Sequence, residues 1–183
     1  MAKTLTIHFN LPIPIPNSYW VIPKRFLAGE YPGGFDRQRV RRRMDAFLEA
    51  GLDTFINLTR SDELPPYLPA LLEEAKIYNR QVEALQLPIR DFGLPTRAEM
   101  IVILDLIDKS LEKGRNVYLH CWGGIGRTGL SVGCYLVRHG MSGAQALAQL
   151  AEWWQDDPRR ASFPRTPETE EQVQFVREWH ERT

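Results

Sequence analysis

The sequence predicts an α/β fold in a single domain, with a central, mostly parallel sheet flanked by helices. Three observations carry this prediction. Strand-like apolar segments alternate with helix-period segments from Tyr19 to His120. After His120 the strand signal stops, and three helix-like segments close the chain. The 183 residues, 43% of them hydrophobic, suit one core of ordinary size.

The elements follow in order. Residues 1–18 carry Pro12, Pro14 and Pro16 and are expected to form an extended arm, with the folded domain over 19–183. Tyr19 to Ile22 and Phe26 to Ala28 read as short strands, followed by a turn at Gly29, Pro32, Gly33 and Gly34. Asp36 to Ala50 reads as a helix, because Val40, Met44, Phe47 and Leu48 share one face and Gly51 stands just past its end. Its arginines (37, 39, 41, 42 and 43) read as a solvated face, with a docking patch for an acidic partner as the alternative. Asp53 to Leu58 is a strand, Leu68 to Arg80 a helix and Val82 to Leu87 a strand. Thr96 and Glu99 form a capping box for a helix running to Lys113, with Met100, Ile103, Leu104, Ile107 and Leu111 at helical spacing. Asn116 to His120 is a further strand. Helices Thr128 to His139, Gly143 to Trp154 and Pro167 to His180 follow, the last with Thr166 as cap and Pro167 as first residue. Trp153 and Trp154 read as packing residues.

Composition narrows the function. Lys and Arg (23) balance Asp and Glu (23), so neither nucleic acid nor an anionic membrane is expected as a partner. No apolar run reaches transmembrane length and no leader is visible, so no membrane span is expected. With two cysteines, a reducing compartment follows, and the cytoplasm is the expected location. A monomer that needs no metal and no cofactor is expected.

The most informative stretch is His120-Cys121-Trp122-Gly123-Gly124-Ile125-Gly126-Arg127-Thr128-Gly129. A strand, a Gly-rich loop and a helix in that order build a nest of backbone N–H groups at a helix N-terminus, which attracts an oxyanion. Trp122, Gly123, Gly124, Ile125, Gly126 and Arg127 are the expected phosphate-binding residues, with the Arg127 fork gripping two oxygens. Helix N-termini and neighbouring cations lower a cysteine pKa from ~8.5 to roughly 3.5–7.5. Cys121 is therefore expected to be a thiolate nucleophile that attacks phosphorus. A Walker loop is excluded, because no Lys-Ser/Thr follows the glycines. Gly124 to Gly129 also fits the dinucleotide pattern G-x-G-x-x-G, but the acid that pattern wants about 20 residues later is missing.

This motif resembles the signature of the cysteine-dependent protein tyrosine and dual-specificity phosphatases: His-Cys, five residues, Arg, then Ser or Thr. The resemblance implies that Cys121 forms a phosphocysteine intermediate and that Arg127 stabilises the transition state. Thr128 would hydrogen-bond the sulfur, and His120 would orient the loop. Such an enzyme needs a proton donor on another loop. Leu87-Pro88-Ile89-Arg90-Asp91-Phe92-Gly93-Leu94-Pro95 supplies Asp91, thirty positions before Cys121. Asp62 is a weaker competitor, and Asp105 and Asp108 fall in a helical pattern. Cys134 reads as helix core, with a resolving thiol for oxidised Cys121 as the alternative.

Thr59-Arg60-x-x-Glu63-Leu64 extends the resemblance towards the kinase-associated dual-specificity phosphatases. Glu168 to Phe175 resembles the glutamine loop of the superfamily: Gln172 matches its second glutamine, while Glu168 replaces the first, which positions water in tyrosine-specific members. The implied substrate is a phosphorylated protein or a small phosphorylated molecule. Trp122 and Ile125 stand where phosphoinositide members often carry lysine, which favours phosphoprotein over phosphoinositide. Arg60 is a candidate second cation. The alternatives are a phosphoinositide or inositol-phosphate phosphatase of the same fold and a catalytically weak phospho-binding module.

Overall fold

The computed structural model describes residues 12–181. Residues 1–11 of the expected arm and the last two residues lie outside the described residues. In the described part of the arm, Ile15 is buried and its carbonyl accepts from the Ser18 hydroxyl at 2.7 Å.

Five strands, β1 (Ser18–Ile22), β2 (Phe26–Gly29), β3 (Thr54–Asn57), β4 (Glu83–Gln86) and β5 (Val117–His120), form one sheet in the order β1-β2-β5-β3-β4. Only β1 runs antiparallel to its neighbour; the β2–β5, β5–β3 and β3–β4 pairs are parallel. The central strand β5 is fully buried, as a strand covered on both faces must be.

Strand alternation divides the core in two. Phe26, Ala28, Ile56, Val117 and Leu119 face an aliphatic layer supplied by α3 (Arg97–Glu112), α4 (Gly126–Arg138) and α5 (Gly143–Trp154), with Val176 of α6 (Glu170–Arg177). Leu27, Phe55 and Tyr118 face the other way, against Val40, Met44, Phe47 and Leu48 of α1 (Arg37–Glu49) and Leu71 and Ala75 of α2 (Leu68–Ile77). The parallel register aligns Gly29, Asn57 and His120, so β2, β3 and β5 end together. In open α/β sheets that C-terminal edge is where ligands bind.

Local rules explain most boundaries. Asp36 caps α1 by accepting from the Gln38 and Arg39 N–H groups, and Thr96 and Glu99 form the expected capping box on α3. Several boundaries differ from the sequence expectation; α4 starts at Gly126 rather than Thr128, and α6 ends at Arg177 rather than His180. The terminal helix starts at Glu170 rather than Pro167, because Thr169 and Gln172 form a capping box that the residues around Pro167 do not. Thr166, expected to be its cap, instead donates its hydroxyl to the Ile125 carbonyl at 2.7 Å. Helix α2 stops at Ile77 rather than Arg80, with Asn79 turned to a positive φ of 50°. A short 3-10 turn at Pro158–Ala161, capped by Asp157, was not expected.

The polar expectations resolve as follows. Arg41 pairs with Glu74 and Arg43 with Glu30, so two members of the α1 arginine cluster are engaged within the chain. Trp154 is buried and Trp153 packs on Tyr19 with ring centroids 5.3 Å apart. Asp105 and Asp108 both pair with Arg138, at 3.0 Å each. Among the described residues, no helix is long and apolar enough to cross a membrane.

Candidate active site

The loop after β5 wraps a concave space. None of the backbone N–H groups from Trp122 to Arg127 donates to an acceptor among the described residues. The first bond of the new helix runs from the Gly129 N–H to the Ile125 carbonyl at 3.1 Å. The donors left over at the start of α4 are the groups that a bound anion would satisfy. Gly124 makes the wrap possible. Its φ is +72°, and a Cβ there would lie 2.4 Å from the Gly29 carbonyl carbon.

Cys121 lies at the base of this loop, 3% exposed. It lines a cavity of about 280 Å³ with Arg127, Asp91 and Glu168, and Phe92, Trp122 and Phe163 stand at its edge. The three rings are more than a third exposed, although each is large and apolar.

Arg127 is the largest of the fully buried side chains, and five atoms hold it. Its Nη1 donates to both Glu63 oxygens at 3.0 Å, to the Ile89 carbonyl at 3.1 Å and to the Leu58 carbonyl at 3.4 Å. Its Nη2 lies 3.0 Å from Asp91 Oδ1 but makes no aligned hydrogen bond. One side of the guanidinium is therefore anchored in the protein, while Nη2 keeps donor capacity for a ligand. Asp91 is ion-paired to that side of the guanidinium, and its own side chain is 44% exposed.

His120 is completely buried beneath the loop. Burial pushes its pKa down to about 3, the Cys121 carbonyl pulls the other way, and Arg127 adds to the lowering. The ring is therefore neutral at ordinary pH. Its Nδ1 lies 3.4 Å from the Cys121 carbonyl, which can only accept, so Nδ1 carries the proton. Its Nε2, 2.9 Å from the Tyr67 hydroxyl, then accepts. Tyr118 stacks on the ring, and Tyr31 and Tyr67 meet its edges.

The remaining expected site residues sort clearly. Trp122, Gly123, Ile125 and Gly126 line the cavity, and Gly124 shapes the loop from behind. Thr128 departs from its expected contact: its hydroxyl donates to the Gly29 carbonyl at 3.5 Å and makes no bond to the Cys121 sulfur. Thr128 lies fully buried inside α4, and the end of β2 offers its hydroxyl an acceptor there. Asp62 pairs with Arg60 at 2.6 Å, and Arg60 lines a separate cavity beside Asn57 and Gln86. Neither therefore belongs to the Cys121 cavity. Cys134 is buried in the aliphatic core, where burial raises its thiol pKa well above the ordinary value.

Glu168 lies in the cavity. Its carboxylate approaches Gly126, where a Cβ would sit 3.2 Å from Oε2. Burial raises its pKa, the Asp91 charge adds to that, and Arg127 opposes both. Gln172 supports this corner by accepting from the Glu168 N–H at 3.1 Å and donating to the Gly93 carbonyl at 3.2 Å. It thereby ties the start of α6 to the Asp91 loop.

Sequence reasoning missed several contributors, Tyr67 beside His120 and Phe163 at the cavity edge among them. Glu63, quoted only for resemblance, is the anchor of Arg127. Thr166 ties the loop at Ile125, and Arg159 ties it at Gly123 with a 2.6 Å bond to the carbonyl. No local pattern marks Arg159; only the folded chain brings residues 123 and 159 together.

Comparison with known proteins agrees with this geometry. The family described as "Swiss Army Knife protein, DSP-PTPase phosphatase domain" matches residues 15–182. The mouse protein tyrosine phosphatase domain-containing protein 1 is 29% identical over 151 residues, covering 75% of this chain but 18% of its own length. The chain spans less than two thirds of the curated relatives it matches. The crystal structure of Tk-PTP in its active form superposes with a TM-score of 0.64 at 28% identity, covering 87% of this chain and 93% of that one. Kinase associated phosphatase, solved with its catalytic-site cysteine changed to serine, shares the fold with a TM-score of 0.67 at 20% identity, covering 84% of each chain. A family match across nearly the whole described chain, over a site of this composition, places the protein: it belongs to the DSP-PTPase phosphatase domain family.

Proposed function

We propose that this protein is a metal-independent phosphomonoester hydrolase of the protein tyrosine/dual-specificity type, working through a phosphocysteine intermediate. One observation carries the reading: a buried Arg127, anchored on Nη1 and with an Nη2 that is ion-paired to Asp91 but makes no aligned hydrogen bond, beside Cys121 at the base of a loop whose N–H groups find no acceptor among the described residues. Phosphate enters the loop, and its oxygens take the N–H groups and the Arg127 fork. The Cys121 sulfur forms the bond to phosphorus as the ester oxygen leaves. Asp91 protonates that oxygen, then takes a proton from the water that attacks the phosphocysteine. The loop donors are preorganised for charge that develops on the equatorial oxygens. Neutral His120 holds the Cys121 carbonyl and so fixes the loop from below.

The substrates that fit are phosphorylated protein side chains. Trp122 and Ile125 offer no cation within the loop for a second or third phosphate, and Arg60 faces a different cavity. The deciding experiment is p-nitrophenyl phosphate hydrolysis in chelator, comparing the wild type with Cys121→Ser. Turnover in the wild type, with orthophosphate binding but no turnover in Cys121→Ser, is expected. Equal turnover in both would sink the cysteine mechanism, and phosphopeptide binding without turnover in the wild type would make the chain a binding module.

A further inference from the structure

The segment between α5 and α6 holds an ion-pair network outside the family signature. Arg159 makes a fork with Asp157, Nε to Oδ1 at 2.9 Å and Nη2 to Oδ2 at 2.8 Å. The Arg159 N–H adds a third bond to Asp157 Oδ1 at 2.8 Å. The guanidinium lies over the Trp154 ring, 5.1 Å from its centroid. Trp154 is itself buried, with Nε1 donating to the Phe163 carbonyl at 2.7 Å. Burial alone would raise the Asp157 pKa, but the Arg159 hydrogen bonds outweigh it and hold the carboxyl below the usual range. The Arg159 N–H, Nε and Nη2 are thus all held by Asp157, which leaves Nη1. Nη1 donates to the Gly123 carbonyl at 2.6 Å.

That bond acts on a particular peptide unit. In a trans peptide, the carbonyl of one residue and the N–H of the next point to opposite sides. Arg159 does not line the cavity, so a Gly123 oxygen held by it would turn the Gly124 N–H towards the cavity. Gly124 is buried, and its N–H finds no acceptor among the described residues. This unit is also the one most able to rotate, because glycine stands on both sides of it. Rotated, it would aim a carbonyl oxygen at the space where an anion binds.

We propose that Arg159 is a positioning residue for the phosphate loop, fixing the Gly123–Gly124 peptide so that the Gly124 N–H faces the bound phosphate. Arg159 does not touch the substrate; it acts through the Gly123 carbonyl. Thr166 does a related task from the other side through the Ile125 carbonyl, so the loop is held outward at two of its oxygens by residues that follow it in the chain. This inference rests on the phosphate-binding reading of the loop.

Its energetic signature is distinct. If part of the free protein holds the peptide the wrong way round, apparent affinity falls by the fraction that is competent. Saturating phosphate ester refills the competent state, so kcat is little changed. Arg159→Met keeps an unbranched stem over Trp154 and removes the donor. It is expected to raise KM for p-nitrophenyl phosphate by roughly 5–20-fold, with kcat within about twofold. Arg159→Lys retains one donor and should recover part of the loss.

Orthophosphate binding, measured by calorimetry on Cys121→Ser with and without Arg159→Met, tests the same point without turnover. A parallel weakening there supports the proposal. Equal binding by the two, or a drop in kcat at constant KM, would overturn it, since a merely structural role predicts less folded enzyme of normal affinity. If Arg159→Met fails to fold, Asp157→Asn loosens the same fork and should give a smaller KM rise; an unchanged KM would overturn the proposal equally. Absence of phosphate binding in Cys121→Ser itself would count against the proposed function instead.

Discussion

The floor and the rim of the cavity are built on different principles. The floor is one continuous stretch, His120 to Thr128, between a buried strand and a buried helix, and Cys121 and Arg127 are 3% and 2% exposed. Trp122 apart, the rim comes from two segments distant in sequence, the Asp91 loop and the stretch before α6, and Phe92 at its edge is 63% exposed. Backbone geometry and burial hold the floor, whereas the Asp91 loop is tied down by single bonds such as Gln172 to Gly93. The division suits the chemistry proposed for the site. Phosphate is the same in every substrate, so its receptor can be rigid. The leaving group varies, so the residues that meet it sit on loops.

Substitutions on the two sides should separate cleanly, and the rim offers the largest effect. Asp91→Ala is expected to lower kcat for alkyl phosphates by ~10²–10⁴. The loss on p-nitrophenyl phosphate should be far smaller, because that leaving group needs no proton. Orthophosphate should bind the variant at least as well, since Asp91 lies 3.0 Å from Arg127 and competes with the ligand for Nη2. A loss that ignores leaving-group basicity would remove Asp91 from the mechanism. On the floor, Arg127→Lys should cost ~10²–10³ in kcat whatever the leaving group, as losses of transition-state donors do. Here orthophosphate binding should fall too, because an ammonium cannot reach Glu63 and a phosphate with one planar fork. Retained affinity would show that the fork is not the phosphate grip.

The same division governs what could be read in the sequence. The floor was legible because its parts are covalently consecutive: Cys121, the glycines and Arg127 announce a strand, a nest and a helix in nine letters. The sheet and most helices were legible from alternation, periodicity and caps. Asp91 could be picked out only because a proton donor was already required. Glu63 and Arg159 were not legible, since their partners lie 64 and 36 residues away and neither breaks a local pattern. The start of α6 was misplaced because Pro167 mimics a first helical residue, whereas the Thr169 and Gln172 box fixes the real one. Thr128 was assigned to the sulfur by resemblance, but its hydroxyl faces the Gly29 carbonyl.

The smallest expected effect is on stability, and it too distinguishes floor from rim. His120 is held neutral with a pKa pushed down to about 3. An unfolded histidine titrates near 6.5. As pH falls below that value, the unfolded chain takes up a proton that the folded chain refuses, so stability is lost on acidification down to about pH 3. Between pH 7 and pH 5 the loss from this one ring is about 2 kcal/mol, or roughly 4–8 °C in Tm for a chain of this size. Glu168 acts with the opposite sign: its raised pKa favours protonation in the folded state, so acidification through the carboxylate range lessens a cost there. His120→Asn should therefore flatten the fall in Tm between pH 7 and pH 5, whereas Glu168→Gln should not flatten it, because the Glu168 contribution runs the other way. If the slope between pH 7 and pH 5 survives in His120→Asn, the acid sensitivity lies elsewhere and the buried neutral ring beneath Cys121 is not its source.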